Sequence, residues 1–253
     1  VSFRKNLNSK TKILDVSNID RLEKYIREVK PDFVVNCIGV LVKGSNQNIK
    51  NAIQINAFFP HLLIELCNEL NCKLIHISTD CVFSGKRGNY NENSIKDAID
   101  IYGKTKSLGE FDLEKHLCIR TSIIGPELKE NGEGLLHWLL NQRGEIFGFK
   151  NVFWSGVTTL ELSKAIEFSI ESDVSGLWNL TNEIGITKYD LLKKIINCFD
   201  LKDIDLKPST DKVSNKTLRT IRKINYVVKN YDQMINELKN YIELNRSSYN
   251  YKF

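Results

Sequence analysis

Apolar positions along residues 1–125 recur in two alternating rhythms. Short β-branched runs alternate with longer stretches in which apolar residues return every three or four positions. Asn18 stands where a helix cap belongs. Behind it Ile19, Leu22, Tyr25, Ile26 and Val29 share one helical face, and Pro31 follows as a stop. Asp32-Phe-Val-Val-Asn-Cys-Ile-Gly39 is nearly continuously apolar, as a strand covered on both faces must be. A helix is predicted from about Asn48 to Leu70, with Ile55, Phe58, Phe59, Leu62, Leu63 and Leu66 inward. Lys73–Thr79 and Cys118–Ile124 read as further strands, separated by a polar loop over 80–100 and a helix from about Ile101 to Glu114. Strand and helix alternating in this way predict an α/β fold: a Rossmann-like, doubly wound parallel sheet.

After Gly125 the rhythm changes. Helices are predicted at Leu135–Asn141, Thr158–Glu171, Thr187–Phe199 and Tyr231–Leu244, with short strand-like pieces at Asn151–Trp154 and Leu177–Leu180. The pattern divides into a dinucleotide-binding domain over 1–130 and a small, mostly helical substrate lobe over 131–253, interleaved with the first.

Composition narrows the class. Hydrophobic residues make up 42% and charged residues 26% of the 253, the balance of an ordinary globular protein rather than a disordered or fibrous one. The most apolar stretch, Phe33–Val42, is half of the roughly 20 residues a bilayer span needs. Six scattered cysteines without a CxxC pair fit reduced thiols better than disulfides or zinc, and place the chain in the cytosol by default. No metal-ligand spacing is present. The net charge of +5 arises wholly in residues 202–253, which hold 11 basic and 6 acidic side chains. These charges are interspersed and lack a recognition-helix pattern, so a solvated face or small-anion pocket is expected and not nucleic acid. Oligomeric state is left open, with a homodimer among the options.

In doubly wound sheets ligands lie beyond the carboxyl ends of the strands. Two strands end there in polar residues, Asn36-Cys37-Ile38-Gly39 and Ser78-Thr79-Asp80. The helix after the polar loop opens with Tyr102 and Lys106, four apart and on one face. An ammonium near the phenol would lower its pKa from about 10 and favour proton exchange near neutral pH. Spacing alone is weak evidence, because 9 Tyr and 27 Lys give about one such pair by chance. Tyr189 and Lys193 form the accidental one. Tyr102 is distinguished by its place, 23 residues after Thr79 and across one loop from it.

With those residues in hand, His76-Ile-Ser-Thr-Asp-Cys-Val-Phe-Ser-Gly85, Tyr90-Asn-Glu92, Tyr102-Gly-Lys-Thr-Lys-Ser-Leu-Gly-Glu110 and Ile119-Arg-Thr-Ser122 resemble the extended short-chain dehydrogenase/reductases. Within them the sequence is similar to the dTDP-4-dehydrorhamnose reductase group, over nearly the whole chain. The resemblance implies Thr79 and Tyr102 on the substrate carbonyl, and Lys106 on the nicotinamide ribose and tuning the phenol. It places Asn36, Cys37, Ile38, Gly39, Ser78 and Ser122 along the cofactor groove, with Asp15 and Val16 at the adenine. The reaction implied is reduction, by NAD(P)H, of the C4 keto group of a nucleotide-linked 6-deoxyhexose for surface polysaccharide. Arg4 follows the expected end of a strand where a base selects the 2′-phosphate, and so favours NADPH over NADH.

Three departures qualify this. Cys81 stands where the group commonly has a tyrosine, and Ile123-Ile124 where it often has an aromatic, which leaves open another keto sugar such as a UDP-linked 2-acetamido-6-deoxyhexose. None of the 14 glycines builds the Gly-rich phosphate loop of this fold, so weak dinucleotide binding is expected. The sole methionine is Met234, and the motif order places about 30–40 residues, one βα unit, ahead of Val1. The competing readings are an epimerase or reductase of another dTDP- or UDP-keto sugar, a non-catalytic regulatory subunit like that of methionine adenosyltransferase, and an inactive gene relic.

Overall fold

The computed structural model describes residues 11–129, 131–249 and 251. Helix α1, Ile19–Val29, is capped by the Asn18 side chain, which accepts from the Arg21 N–H. It leads into β1, Phe33–Asn36. Helices α2, Val42–Gln47, and α3, Ile49–Ala52, follow, then a π-helical turn, Ile53–Phe58, and α4, Phe59–Glu69. The continuous helix predicted over 48–70 is thus interrupted, and Pro60 supplies the reason. Proline lacks an N–H and its ring collides with the carbonyl four residues back. The wider turn lets the Phe59 N–H bond to the Gln54 carbonyl instead, a spacing of five.

Strand β2, Lys73–Thr79, and β3, Leu117–Thr121, flank α5, Ile101–Leu108. Beyond them lie β4, Ile123–Ile124; α6, Leu135–Leu140; β5, Gly144–Phe149; β6, Val152–Trp154; β7, Val157–Thr158; and α7, Thr159–Glu171. The chain continues through β8, Gly176–Asn179; β9, Ile186–Thr187; α8, Lys188–Phe199; β10, Ile204–Ser209; β11, Ser214–Asn215; and α9, Tyr231–Leu244.

The main sheet has the order β1-β2-β3-β8 and is parallel throughout. Side chains alternate between its faces. Ile77, Ile119 and Trp178, paired across three strands, join a core with α6, α7, α8 and α9. Leu74, Cys118 and Leu177 point the other way, onto α1 and α4. Because β8 comes from beyond residue 131 and completes the sheet, the core runs unbroken from the first half of the chain into the second. The remaining strands form small pairings within the lobe, β5 with β10, β6 between β9 and β11, and β4 with β7.

A candidate active site at the carboxyl ends of β1 to β3

Parallel strands in register end together, so the polar residues that terminate them share one rim. Asn36 closes β1, Thr79 closes β2 opposite Thr121 of β3, and Ser122 follows directly. Strand β2 runs into a 3-10 turn, Asp80–Val82, which Thr79 caps by accepting from the Cys81 N–H at 3.1 Å.

Helix α5 brings the phenol to this turn. Asp100 caps it, accepting from the Gly103 N–H at 2.8 Å. Gly103 faces the Cys81 carbonyl so closely that a Cβ would sit 2.2 Å from it, and a Cβ on Gly109 would sit 2.1 Å from the Asn56 carbonyl. Without side chains at these two positions α5 lies flat on the loops that carry the site. Asn56, fully buried, ties the assembly together: it accepts from the Val40 N–H at 2.8 Å and donates to the Val40 carbonyl at 2.9 Å and to Thr105 Oγ1 at 3.2 Å. The loop after β1 is thereby fixed to the helix of Tyr102 and Lys106.

Burial, then the nearby Cys81, Asp80 and Asp100, raise the Tyr102 pKa well above the ordinary value, and the neighbouring Thr79 hydroxyl only partly offsets this. The expectation that Lys106 lowers it does not hold in this structure. The Lys106 ammonium instead donates to the Ile77 carbonyl at 2.7 Å and lies 3.3 Å from His76 Nε2. It is itself lowered by burial, against the pull of Cys118, Glu110 and Cys37.

His76 meets donors at both ring nitrogens. Asn36 Oδ1 accepts from the Ile38 N–H, so its amide NH2 faces His76 Nδ1 at 3.0 Å, while the Lys106 ammonium faces Nε2 at 3.3 Å. Burial first, and then the Lys106 charge, hold His76 well below its usual pKa, against the smaller help of the Asn36 backbone. Its folded pKa is depressed, so below about pH 6.5 the unfolded chain binds a proton the folded one refuses. Stability should fall by up to about 1.4 kcal/mol per pH unit from there downward. Denaturant unfolding at pH 7, 6 and 5 measures this, and His76→Asn should flatten the dependence.

The remaining expected cofactor contacts are placed unevenly. Cys37, Ile38 and Gly39 are exposed on the loop after β1, and the Cys37 thiol is close enough to feel the Lys106 charge. Asp15 is exposed and its carboxylate is held low by the Ser17 hydroxyl, whereas Val16 is buried in the core under α1. The Ser78 hydroxyl is committed to Glu110 Oε1 at 2.6 Å, and the Ser122 carbonyl accepts from the Val157 N–H. Arg4 lies outside the described residues. Lys106 and the loop after β1 thus lie at one end of the sheet, and among the described residues no glycine-rich turn forms a cradle for a pyrophosphate.

Two lysines at the site, Lys188 and Lys216, escaped the sequence reading, and they act on residues it had named. Asp80 is buried, which raises its pKa, while Lys216 and Lys188 pull it down. Burial lowers the Lys216 ammonium, but Cys81 and Asp80 outweigh it and the net shift is upward. Cys81 is pushed up to about 12 by burial and then by Asp80, so it is a neutral thiol. Both lysines arrive from the C-terminal lobe, more than 100 residues after Asp80, and no local spacing marks them. Behind the rim, Arg120 and Glu110 form a buried ion pair with Arg120 Nε and Nη2 at 2.8 and 2.7 Å from the carboxylate. Among the described residues no cluster of His, Cys, Asp and Glu could hold a metal ion, and no helix is long and apolar enough to cross a membrane.

The fold agrees with that of known relatives. The family model described as the RmlD substrate binding domain matches residues 4–226. A dTDP-4-dehydrorhamnose reductase of Escherichia coli (strain K12) is 29% identical over 188 residues, 70% of this chain and 62% of that protein. The matched stretch therefore spans less than two thirds of that relative. The crystal structure of a hypothetical dTDP-4-dehydrorhamnose reductase from Sulfolobus tokodaii is 25% identical and superposes with a TM-score of 0.74 over 89% of this chain and 88% of that one. A dTDP-4-dehydrorhamnose reductase from Bacillus anthracis str. Ames, in complex with NADP, shares the fold with a TM-score of 0.76 at 21% identity, over 91% and 87% of the two chains. The sequence motifs, the parallel sheet and the matched family model converge, and the chain belongs to the RmlD substrate binding domain family.

Proposed function

We propose that this protein reduces the C4 keto group of a nucleotide-linked 6-deoxy-4-keto-hexose, with NADPH as the preferred reductant. The observation that carries the reading is the nearness of the Tyr102 phenol to the Thr79 hydroxyl at the carboxyl end of β2, with the buried Lys106 one turn further along the helix that carries Tyr102. Two hydroxyl donors at a strand end can grip one carbonyl oxygen. Their hydrogen bonds strengthen as negative charge builds there, which lowers the barrier more than it tightens binding. Tyr102 then passes its proton to the developing alkoxide. Burial keeps the phenol protonated at neutral pH, the state a proton donor must start from. When bound, the reduced nicotinamide supplies the hydride to C4. Lys106 holds the ribose with donors left free by Ile77, and Asn36 to Gly39 border the ring. The NADP bound to the Bacillus anthracis relative and the Arg4 side chain support the choice of NADPH.

The test is oxidation of NADPH, followed by absorbance, on addition of dTDP-4-keto-6-deoxyglucose or its UDP-2-acetamido counterpart. Turnover should depend on the sugar nucleotide and run faster with NADPH than with NADH at equal concentration. Tight sugar-nucleotide binding without any turnover, with cofactor at saturation, would overturn the reading in favour of a binding subunit.

A further inference from the structure

The Thr79 hydroxyl has one proton and two uses for it. Its oxygen accepts from the Cys81 N–H at 3.1 Å, and it donates to Asp80 Oδ1 at 3.3 Å. A hydroxyl offers one O–H and two lone pairs, whereas an ionised carboxylate can only accept. An ionised Asp80 therefore engages the proton that a substrate carbonyl would need from Thr79. A protonated Asp80 reverses the contact. It donates to the second lone pair of Thr79 Oγ1, so that Thr79 is held from behind by two donors and turns its own proton outward. The separation of 3.3 Å is long for a bond between two oxygens, and so loose a contact can change direction without moving the backbone.

The surroundings of Asp80 leave that proton in contest. Its side chain is buried, and among the described residues no salt bridge ends on it to fix the ionised form. Cys81 flanks it on the same turn, and α5 brings the Tyr102 phenol, with Asp100 behind it. The lobe brings Lys188, the first residue of α8, and Lys216, just after β11. Burial raises the Asp80 pKa, and Lys216, then Lys188, with smaller help from Cys81 and Thr79, pull against it without cancelling the rise. Lys188 packs over the Trp154 ring, 5.0 Å from its centre, and burial lowers its ammonium to about 8. Lys216 is raised by Cys81 and Asp80, so it is the cation that stays charged beside Asp80.

We propose that Asp80 acts in its protonated form as the positioning residue of Thr79, and that Lys216 and Lys188 of the lobe govern how far it keeps that proton as the pH rises. This rests on the reductase reading above and adds residues to that reaction. In the reactive state Asp80 donates to Thr79 Oγ1, and Thr79 donates to the substrate carbonyl oxygen. Tyr102 makes the second bond to that oxygen, and its proton is the one transferred to the alkoxide. Asp80 keeps its own proton throughout, so nothing is relayed through Thr79. Ionisation of Asp80 does harm twice. It draws the Thr79 proton back, and it sets a negative charge near the oxygen on which negative charge must build.

The experiment measures kcat for NADPH oxidation by the full chain, with both substrates saturating, from the ordinary Asp value of about pH 4 up to about pH 10. The wild type should fall from an acid-side plateau to a second one about 10²-fold lower, the loss expected for one donor to an oxyanion, with KM changed far less. Asp80→Asn still offers Thr79 a neutral donor, so it should stay within about tenfold of the upper plateau and lose the fall. Asp80→Ala offers none and should be at least about tenfold slower than Asp80→Asn. A neighbouring cation favours the carboxylate, so Lys216→Met should move the fall to higher pH by about one unit, and Lys216→Arg should leave it in place. An unaltered fall in Asp80→Asn overturns the proposal, as does a Lys216→Met profile unmoved or displaced to lower pH. Should Asp80→Asn not fold, the Lys216→Met profile decides alone. The infrared carboxyl stretch of Asp80 in the free protein, whose titration Lys216→Met should move in the same direction, separates the two readings. A protonated Asp80 that responds to Lys216→Met, in a protein that oxidises no NADPH, sinks the reductase assignment and leaves the Asp80 switch in place. Turnover that is fastest where Asp80 is already ionised sinks the switch alone.

Discussion

Tyr102→Phe should lower kcat by about 10³-fold, within the range for loss of a positioned general acid, with KM changed by less than about threefold. The phenol lies near the Thr79 hydroxyl and among groups that disfavour its ionised form, so removing its hydroxyl takes away a donor and little packing. The thermal midpoint of unfolding should move only slightly. Thr79→Val should also reduce kcat, but the double variant should be scarcely worse than Tyr102→Phe, because two donors acting on one oxygen work as a unit. Because burial raises the Tyr102 pKa, ionisation of the phenol should not slow the reduction even at about pH 10, where an unperturbed phenol would be half ionised. A variant that retains a tenth or more of the wild-type kcat would remove Tyr102 from the mechanism.

The residues behind that prediction were visible in the sequence, and their electrostatics were not. Strand β2 at Lys73–Thr79 and helix α9 at Tyr231–Leu244 lie where hydrophobic periodicity puts them, since each buries a regular face. Thr79 and Tyr102 could be paired from a strand end and the following helix start, a local relation spanning one loop. The four-residue spacing of Tyr102 and Lys106 says only that both share a helix face; it does not say that the Ile77 carbonyl and His76 capture the ammonium first. Strands β5 and β10 were missed for a related reason. Gly144–Phe149 and Ile204–Ser209 pair in parallel across roughly 60 residues of intervening chain, and neither carries clean alternation, with Pro208 inside the second. Lys188 and Lys216 meet Asp80 only because the lobe folds back over the sheet. Contacts of that kind leave no period to read.

The largest effect on stability is expected at Arg120. Its side chain is fully buried, and its guanidinium is held by the Glu110 carboxylate through two bonds, by Asn179 Oδ1 at 3.1 Å, and over the Phe83 ring at 4.9 Å. Burial disfavours the charge, yet Glu110 more than offsets it and the pKa is raised. Glu110 in turn accepts from Ser78, the residue before Thr79, while Asn179 donates to the carbonyls of Tyr90 and Arg219. One ion pair therefore joins the strand that carries the site, the loop after it and the lobe that closes over it. Arg120→Met should cost about 3–5 kcal/mol in denaturant unfolding, chiefly by leaving Glu110 buried and unpaired, with only the half-exposed Lys96 ammonium at 3.5 Å to compensate. If that is the cause, Arg120→Met with Glu110→Leu should recover at least half of the loss, because a buried pair replaced by apolar side chains is often neutral. Arg120→Lys keeps the charge but cannot make the two-pronged contact, so it should fall between the two and slow turnover by loosening the end of β2. A loss below about 1 kcal/mol for Arg120→Met would mean that the sheet and lobe are held together by the apolar core alone, and the strand end carrying Thr79 would then need no ionic anchor.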